Sequence, residues 1–329
     1  MMMRLVQSID DCGHRRVAKV DGASLLLLSG VASIRELALA AIASSATIEA
    51  LVSELLSAET LNYDAVQDSG RLLLPIDHDD PYRMLITGTG LTHIGSATLR
   101  SNMHGEDPAE GMTDSAKLFR AGVEHGRPPA GVIGVEPEWF FKGIGLDALR
   151  SGEQLIAPFH GTTIGEEAEL AGVYIIGPDG TPHRIGFTLA NDVSDHAFEQ
   201  RNYMYIAPSK LRPCPIGPEL LVGALPDSVI GAVRIMRGDT VIWESPFASG
   251  EANMSHSIAN LEYHHFKAAS ARRSGDVHLH LFGCDASSGA AGVVIQDGDI
   301  FEIDAPVMGR PLRNEVRFEA PQPVAVKCL

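Results

Sequence analysis

The clearest alternation of apolar and polar positions lies between residues 161 and 192, GTTIGEEAELAGVYIIGPDGTPHRIGFTLAND. Two apolar runs, Ala171–Ile176 and Ile185–Ala190, flank Gly-Pro-Asp-Gly, which predicts an antiparallel hairpin. Upstream, Arg16–Val20 and Ala23–Leu28 read as short strands joined by the tight-turn pair Asp21-Gly22. Ser33-Ile-Arg-Glu36 has capping-box form and predicts a helix through about Ala43. Ile48, Leu51, Val52, Leu55 and Leu56 keep helical spacing on one face. Leu72–Ile76 reads as a further strand before the polar break Asp77-His-Asp-Asp-Pro81. Residues 1–80 are therefore expected to form a small N-terminal α+β domain, and residues 81–329 a larger, β-rich one. In the second part, Leu220–Val222 and Gly231–Arg237 read as strands. Asn253–Phe266 reads as a helix with Met254, Ile258, Leu261 and His265 on its core face. Residues 101–130, rich in Gly, Pro, Asp and Glu, predict a surface excursion with a short helix near Ala116–Val123, a candidate lid.

The hairpin carries the first chemistry. Glu167 and Glu169, two apart on the incoming strand, project from one face. Asp192 ends the outgoing strand, and antiparallel pairing brings it near Glu169. Three convergent carboxylates repel one another and call for a cation. All-oxygen donors favour Mg²⁺, with Mn²⁺ and Ca²⁺ next, over Zn²⁺. The competing reading is a solvated strand face, since E-x-E pairs are common in an acidic chain. His278 and His280 also share a strand face, between Val277, Leu279 and Leu281. With no third ligand in sequence, they read as a polar strand face rather than a metal site. Thr87-Gly-Thr-Gly-Leu-Thr-His-Ile-Gly95 lacks the helix and the acidic residue that a dinucleotide loop requires. Ser194, Asp195 and His196 are adjacent in sequence, so they point apart and do not make a triad.

Composition removes some function classes. The chain has 329 residues, 45% of them hydrophobic and 21% charged, within the ordinary globular range. A net charge of −16 argues against a general nucleic-acid or anionic-membrane binder, which needs basic surface. Cys12, Cys214, Cys284 and Cys328 are scattered, which speaks against a zinc ribbon or a disulfide framework. The N-terminal residues lack the apolar core of a signal peptide, and no apolar run reaches about 18 residues. The expected location is cytoplasmic.

Several motifs in order resemble the fumarylacetoacetate hydrolase family. They are Glu167-Ala-Glu169-Leu-Ala, then Gly186-Phe-Thr-Leu-Ala-Asn-Asp192-Val-Ser194. Pro137-Glu-Trp-Phe-Phe-Lys142 is similar to the family's P-x-x-F-x-K element. Ala207-Pro-Ser-Lys210, Ile216-Gly-Pro218, Gly298-Asp-Ile-Phe-Glu-Ile and Gly309-Arg-Pro-Leu-Arg-Asn314 follow in the family's order. The resemblance spans roughly residues 84 to 316. It implies a β-roll catalytic domain, a metal held by Glu167, Glu169 and Asp192, a small 2-keto acid substrate, and a homodimer or higher homo-oligomer.

Departures from the family's hydrolases point to a branch. Aligned from Gly90, Ser96 stands where those enzymes carry a water-activating histidine. The loop is instead similar to the T-Y-x-x-S-x-x-x-R of the sugar-acid dehydratases, matched by Thr92, Ser96 and Arg100, with His93 in the tyrosine's place. Glu199 stands where glutamine is common, as in those dehydratases, and His196 stands where arginine is frequent. The resemblance implies catalytic roles for Lys210, Glu199 and Ser96. It assigns substrate contacts to Lys142, Arg100, Thr92 and His196. The reaction so implied is Mg²⁺-dependent dehydration of a 2-keto-3-deoxy sugar acid, such as 2-keto-3-deoxyarabonate going to 2-oxoglutarate semialdehyde. The alternatives are a 2,4-diketo-acid C–C hydrolase, an oxaloacetate-type decarboxylase, and a non-catalytic sugar-acid binding protein.

Overall fold

The computed structural model describes residues 2–95 and 113–329, so Ser96 and Arg100 lie outside the described residues. Two sheets carry the chain, one of twelve strands and one of five. The expected hairpin is the middle of the larger sheet. Ala168–Ile176 pairs antiparallel with Pro182–Asn191, and Ala190 faces Glu169 across the ladder. A register shift between Arg184 and Gly186 is the one irregularity in that pairing. Gly186 fits there because a side chain would strike the backbone of Leu221 at about 2.2 Å.

From the hairpin the sheet grows both ways. On one side Val277–Leu281 pairs with Ala168–Ile176, Met84–Gly90 runs parallel to it, and Glu138–Ile144 forms the edge. On the other, Leu220–Val222 leads through Arg4–Ile9, Arg15–Asp21 and Ser24–Leu28 to the edge strand Leu56–Asn62. The N-terminal strands thus continue the same sheet across the expected boundary near residue 80. The hydrophobic effect binds the two parts as well: Leu5, Val17, Ile34 and Leu37 pack in one cluster with Val173, Ile175, Val277 and Leu279. The architecture is the β-rich α+β fold expected from the sequence.

Local elements follow their side chains. The helix Ile34–Ser44 begins at Ser33, whose hydroxyl accepts the Glu36 amide at 3.0 Å. The Glu36 carboxylate returns to the Ala32 amide at 2.7 Å, one residue earlier than the simplest capping box. Leu72–Ile76 is not a strand: Leu72 makes a single bridge to Ser8, and Pro75 has no amide to extend the ladder. The expected helix from Asn253 starts only at Ile258, where Ser257 caps it. The five-stranded sheet is ordered Thr240–Ser249, Val229–Arg237, Ile300–Asp304, Leu312–Phe318 and Leu155–Ala157. Its first strand, Thr240–Ser249, carries no expectation from the sequence: exposed and half-buried residues mix along it, and it contains Pro246, so alternation is weak. Among the described residues, no single helix is long and apolar enough to cross a membrane.

His278 and His280 lie on one strand as expected, and that polar face is fully buried. His265 of the helix Ile258–Phe266 joins them, with its Nε2 3.0 Å from His278 Nδ1 and its ring stacked on His280 at 4.4 Å. Thr87 Oγ1 lies 2.8 Å from His280 Nδ1. A face of period two that is buried under a helix looks the same in sequence as a solvated one. Burial is the main cause that lowers these groups, His278 to about 4 and His280 to about 3, with His265 far lower. Unfolded histidines titrate near about 6.5. The folded values lie below that, so the stabilisation from keeping the rings neutral is full above about pH 6.5 and is lost as pH falls toward 4. His278→Gln/His280→Gln should therefore show a shallower loss of unfolding temperature between pH 7 and 5 than the unaltered protein. Equal slopes by scanning calorimetry would show that these rings do not titrate as buried groups.

Candidate active site

The site forms where four strands end together. Glu169 opens the strand Ala168–Ile176, Glu167 precedes it, and Asp192 follows Pro182–Asn191. The Asp192 amide donates to the Glu167 carbonyl at 3.0 Å, which locks the two ends side by side. All three carboxylates are at least nine-tenths buried. Glu169 Oε2 accepts the Gly283 amide at 2.7 Å from the loop after Val277–Leu281. Gly283 has φ +92°, and a side chain there would strike Thr92, so glycine is what lets the backbone reach Glu169.

Two lysines answer the acids. Lys210 Nζ lies 2.8 and 2.9 Å from the oxygens of Glu167, 2.9 Å from Asp192 Oδ2, and 2.9 Å from Ser194 Oγ. Lys142 Nζ sits 2.9 Å from Asp192 Oδ1 and donates to the Val193 carbonyl at 2.5 Å. Phe140 lies under Lys210, 5.2 Å from ring centre to nitrogen, and Gly88 leaves room for that ring. Burial disfavours the charge of Lys210, but Asp192, Glu167 and Glu199 outweigh it and hold the ammonium well above its usual pKa. Burial likewise opposes the charge of Glu167, yet Lys210 and His196 keep it far below the usual carboxylate range. Glu169 goes the other way: burial first, then Asp192 and Glu167, raise it well above. The pair illustrates how like charges in one pocket split their titrations.

A short helix supplies the remaining groups. Asp195 caps His196–Glu199 and accepts from Phe198 N at 3.1 Å. The same carboxylate takes the amides of Thr162 and Thr163, the Thr163 hydroxyl, and Arg212 at 3.1 Å. His196 Nε2 donates to Glu167 Oε1 at 3.0 Å, and its ring fits between Gly165 and Gly289, where any side chain would clash. Burial lowers the His196 pKa, but its bond to Glu167 and the neighbouring acids raise it on balance. Glu199 is buried, accepts from Ser209 Oγ at 3.3 Å, and lies 4.0 Å from Lys210.

The structure therefore gathers Glu167, Glu169, Asp192, Lys142, His196, Glu199 and Lys210 in one pocket. Thr92 lies at its rim, with a hydroxyl that donates to the Phe282 carbonyl, while the neighbouring His93 faces Ser249 at 2.9 Å. Four participants were given no role in the site by the sequence. Asp195 and Arg212 hold the helix, and Ser194 steadies Lys210. Cys284 donates to Glu167 Oε2 at 3.5 Å, and ligand atoms of Glu167, Glu169 and Cys284 lie within 4.8 Å of one another. The sequence signal for that last group is a Gly-Cys step directly after an apolar strand, legible only once the strand's neighbour is known.

A divalent cation fits this donor set. Both oxygens of Asp192 are buried and in ion contact, yet neither contact is aligned as a hydrogen bond, which leaves lone pairs for a further partner. Carboxylate oxygens supply hard donors beside them.

Neither a protein-family model nor a curated protein sequence matches the chain. Solved structures do. A 2-keto-3-deoxy-D-arabinonate dehydratase in its apo form aligns with TM-score 0.70 and 20% identity, covering 97% of this chain and 100% of that one. A form of that dehydratase complexed with magnesium and 2,5-dioxopentanoate aligns with TM-score 0.69 and 19% identity, over 97% and 100% of the two chains. A 2-hydroxyhepta-2,4-diene-1,7-dioate isomerase from Mycobacterium marinum aligns with TM-score 0.59 and 16% identity, again over 97% and 100%. At these identities the likeness establishes the shared fold, from end to end of the chain.

Asp195 offers a test of how the pocket is held. Replacing it with Asn puts an amide where backbone and guanidinium donors converge and leaves Arg212 buried without its anion. Breaking one partner of a buried pair costs roughly 3–5 kcal/mol. Asp195→Asn should lose stability of that order in urea unfolding, and a change below about 1 kcal/mol would show that the helix is held by other contacts.

Proposed function

We propose that the protein is a divalent-cation-dependent dehydratase of a 2-keto-3-deoxy sugar acid, with a five-carbon acid as the preferred class. The observation that carries this reading is the placing of Lys210 and Glu199, 4.0 Å apart, beside Glu167 and Asp192 in a pocket shut from water. The full-length likeness to a dehydratase that takes magnesium and 2,5-dioxopentanoate supports it. Held by Glu167, Glu169 and Asp192, a cation supplies Lewis-acid polarisation of a 2-keto oxygen and takes over the carboxylates that Lys210 now neutralises.

The chain's own groups then divide the proton transfers. Lys210, no longer held by two carboxylates, takes a proton from C3 at Nζ. Glu199 gives a proton to the C4 hydroxyl, which leaves as water while the C3–H electrons form the C3–C4 double bond. The unsaturated 5-hydroxy acid then isomerises through its enol to an aldehyde. Ser194 and Ser209 orient Lys210 and Glu199. His196 fixes the rotamer of Glu167 by its 3.0 Å bond, and Lys142 holds Asp192 from behind. Ser96 and Arg100 keep their expected roles as part of the proposal.

The His196–Glu167 pair supports a second reading. A histidine bonded to a carboxylate can activate water, and with a 2,4-diketo acid the same scaffold would cleave a carbon–carbon bond. The two readings separate cleanly by product. Purified protein with Mg²⁺ should convert a 2-keto-3-deoxypentonate to an aldehyde. If no aldehyde forms with either C4 epimer, while a 2,4-diketo acid yields pyruvate, the hydrolase reading replaces the first.

Two variants probe the roles. Glu199→Gln removes the general acid and should cut turnover by roughly 10²–10⁴-fold with little change in KM. Glu169→Ala should abolish cation-dependent turnover without unfolding the chain, since it removes a donor whose charge is already suppressed in the pocket. Full activity of Glu169→Ala, or of the unaltered protein in excess chelator, would remove the cation from the mechanism.

A further inference from the structure

The acidic pocket differs from an all-oxygen site in one atom. The loop after Val277–Leu281 turns at Gly283 and carries Cys284 against the hairpin, so that its sulfur lies 3.5 Å from Glu167 Oε2. One ligand atom each from Glu167, Glu169 and Cys284 can be chosen with every separation within 4.8 Å. That is close enough for a single ion to touch all three. Asp192, fully buried and with oxygens that make no aligned hydrogen bond, borders the same space through the shared ammonium of Lys210. The loop is not free to withdraw. Gly283 is tied to Glu169, and the Ser288 amide and hydroxyl both donate to Glu166, at 2.7 and 2.6 Å.

The other grouping of this kind among the described residues, Asp10, Cys12 and His14, is different. It sits in an exposed turn, where Asp10 already accepts the amides of Cys12 and His14 and the Arg16 guanidinium.

We propose that Cys284 is a direct donor to the cation of this centre, which therefore binds thiophilic divalent ions such as Zn²⁺ and Co²⁺ in strong preference to Mg²⁺. The inference rests on the cation site of the proposed function and not on its reaction. As the sulfur–metal bond forms, the thiol proton passes to solvent and the thiolate supplies the electron pair. Carboxylates alone suit Mg²⁺ or Mn²⁺, whereas one thiolate among them shifts the choice toward zinc, cobalt and ferrous iron.

Co²⁺ titration of the full chain gives a readout independent of turnover. A sulfur-to-cobalt charge-transfer absorption in the near ultraviolet should grow to one equivalent in the unaltered protein and be missing in Cys284→Ser and Cys284→Ala. Zn²⁺ affinity in those variants should fall by more than the about 10–100-fold that loss of an outer-shell partner costs, with Mg²⁺ affinity within about threefold. Bound Zn²⁺ should also protect Cys284 from iodoacetamide, followed by mass spectrometry at that residue. Stoichiometric Co²⁺ binding without the absorption, or unchanged Zn²⁺ affinity in both variants, overturns the inference while leaving the cation site in place. Failure of the unaltered protein to bind any of the three ions overturns both.

Discussion

The structure turns on one buried ion cluster. Glu167 and Asp192 are drawn together by strand pairing, and the ammonium of Lys210 sits between them. Removing such ions from water costs several kcal/mol each, and mutual attraction offsets this only with near-complete pairing. Lys210 answers that demand with contacts to both acids and to Ser194, while Lys142 takes the far oxygen of Asp192. Glu169, left without a cation of its own, is the member whose charge the protein suppresses. The cluster is stable as it stands, and it is also unfinished, since one more positive charge would let Glu169 ionise.

The surrounding fold can be read as the support that this cluster requires. Strand ends have few neighbours of their own, so the pocket is closed by loops tied back to it. Gly283 binds Glu169, Ser288 binds Glu166, and Asp195 gathers Thr162, Thr163 and Arg212 at the head of the His196–Glu199 helix. Glycines at 88, 165, 283 and 289 mark where a ring or a backbone approaches too closely for any side chain. Behind them lies the apolar cluster shared by the N-terminal strands and the central hairpin, which fixes the strands whose ends carry the acids. Positioning to within a few tenths of an ångström is therefore a property of the sheet rather than of the loops.

How much of this was legible in the sequence follows from the range of each interaction. The hairpin, and with it the meeting of Glu167, Glu169 and Asp192, follows from alternation and a turn signal, both local. Lys142, His196, Glu199 and Lys210 could be named only through motif resemblance, because no spacing rule joins positions so far apart in the chain. Cys284 escaped for the same reason: its partners are fixed by the pairing of Val277–Leu281 with the hairpin, a long-range fact. Leu72–Ile76 failed as a strand because apolar content was weighed above the missing amide of Pro75. His278 and His280 were read as a polar strand face, and period two reports such a face without saying what covers it. Residue types were readable throughout, and what covered each face was not.

The ammonium of Lys210 has a consequence for how the site is used. It fills the space between Glu167 and Asp192 that a cation would otherwise neutralise, so the pocket is preorganised before any ion arrives. A cation held by these carboxylates, as in the proposed function, would have to displace that contact, at a cost to its apparent affinity. The exchange is also what gives the lysine a role. While two carboxylates hold it, Lys210 stays protonated and can accept nothing; freed from them, it can. Glu199, bonded to Ser209, lies 4.0 Å from Lys210. An elimination needs a base and an acid that do not neutralise each other before substrate arrives. Lys210 and Glu199 are the pair proposed for these two roles, and Glu199, with Asp192 and Glu167, also helps to hold the Lys210 ammonium in place.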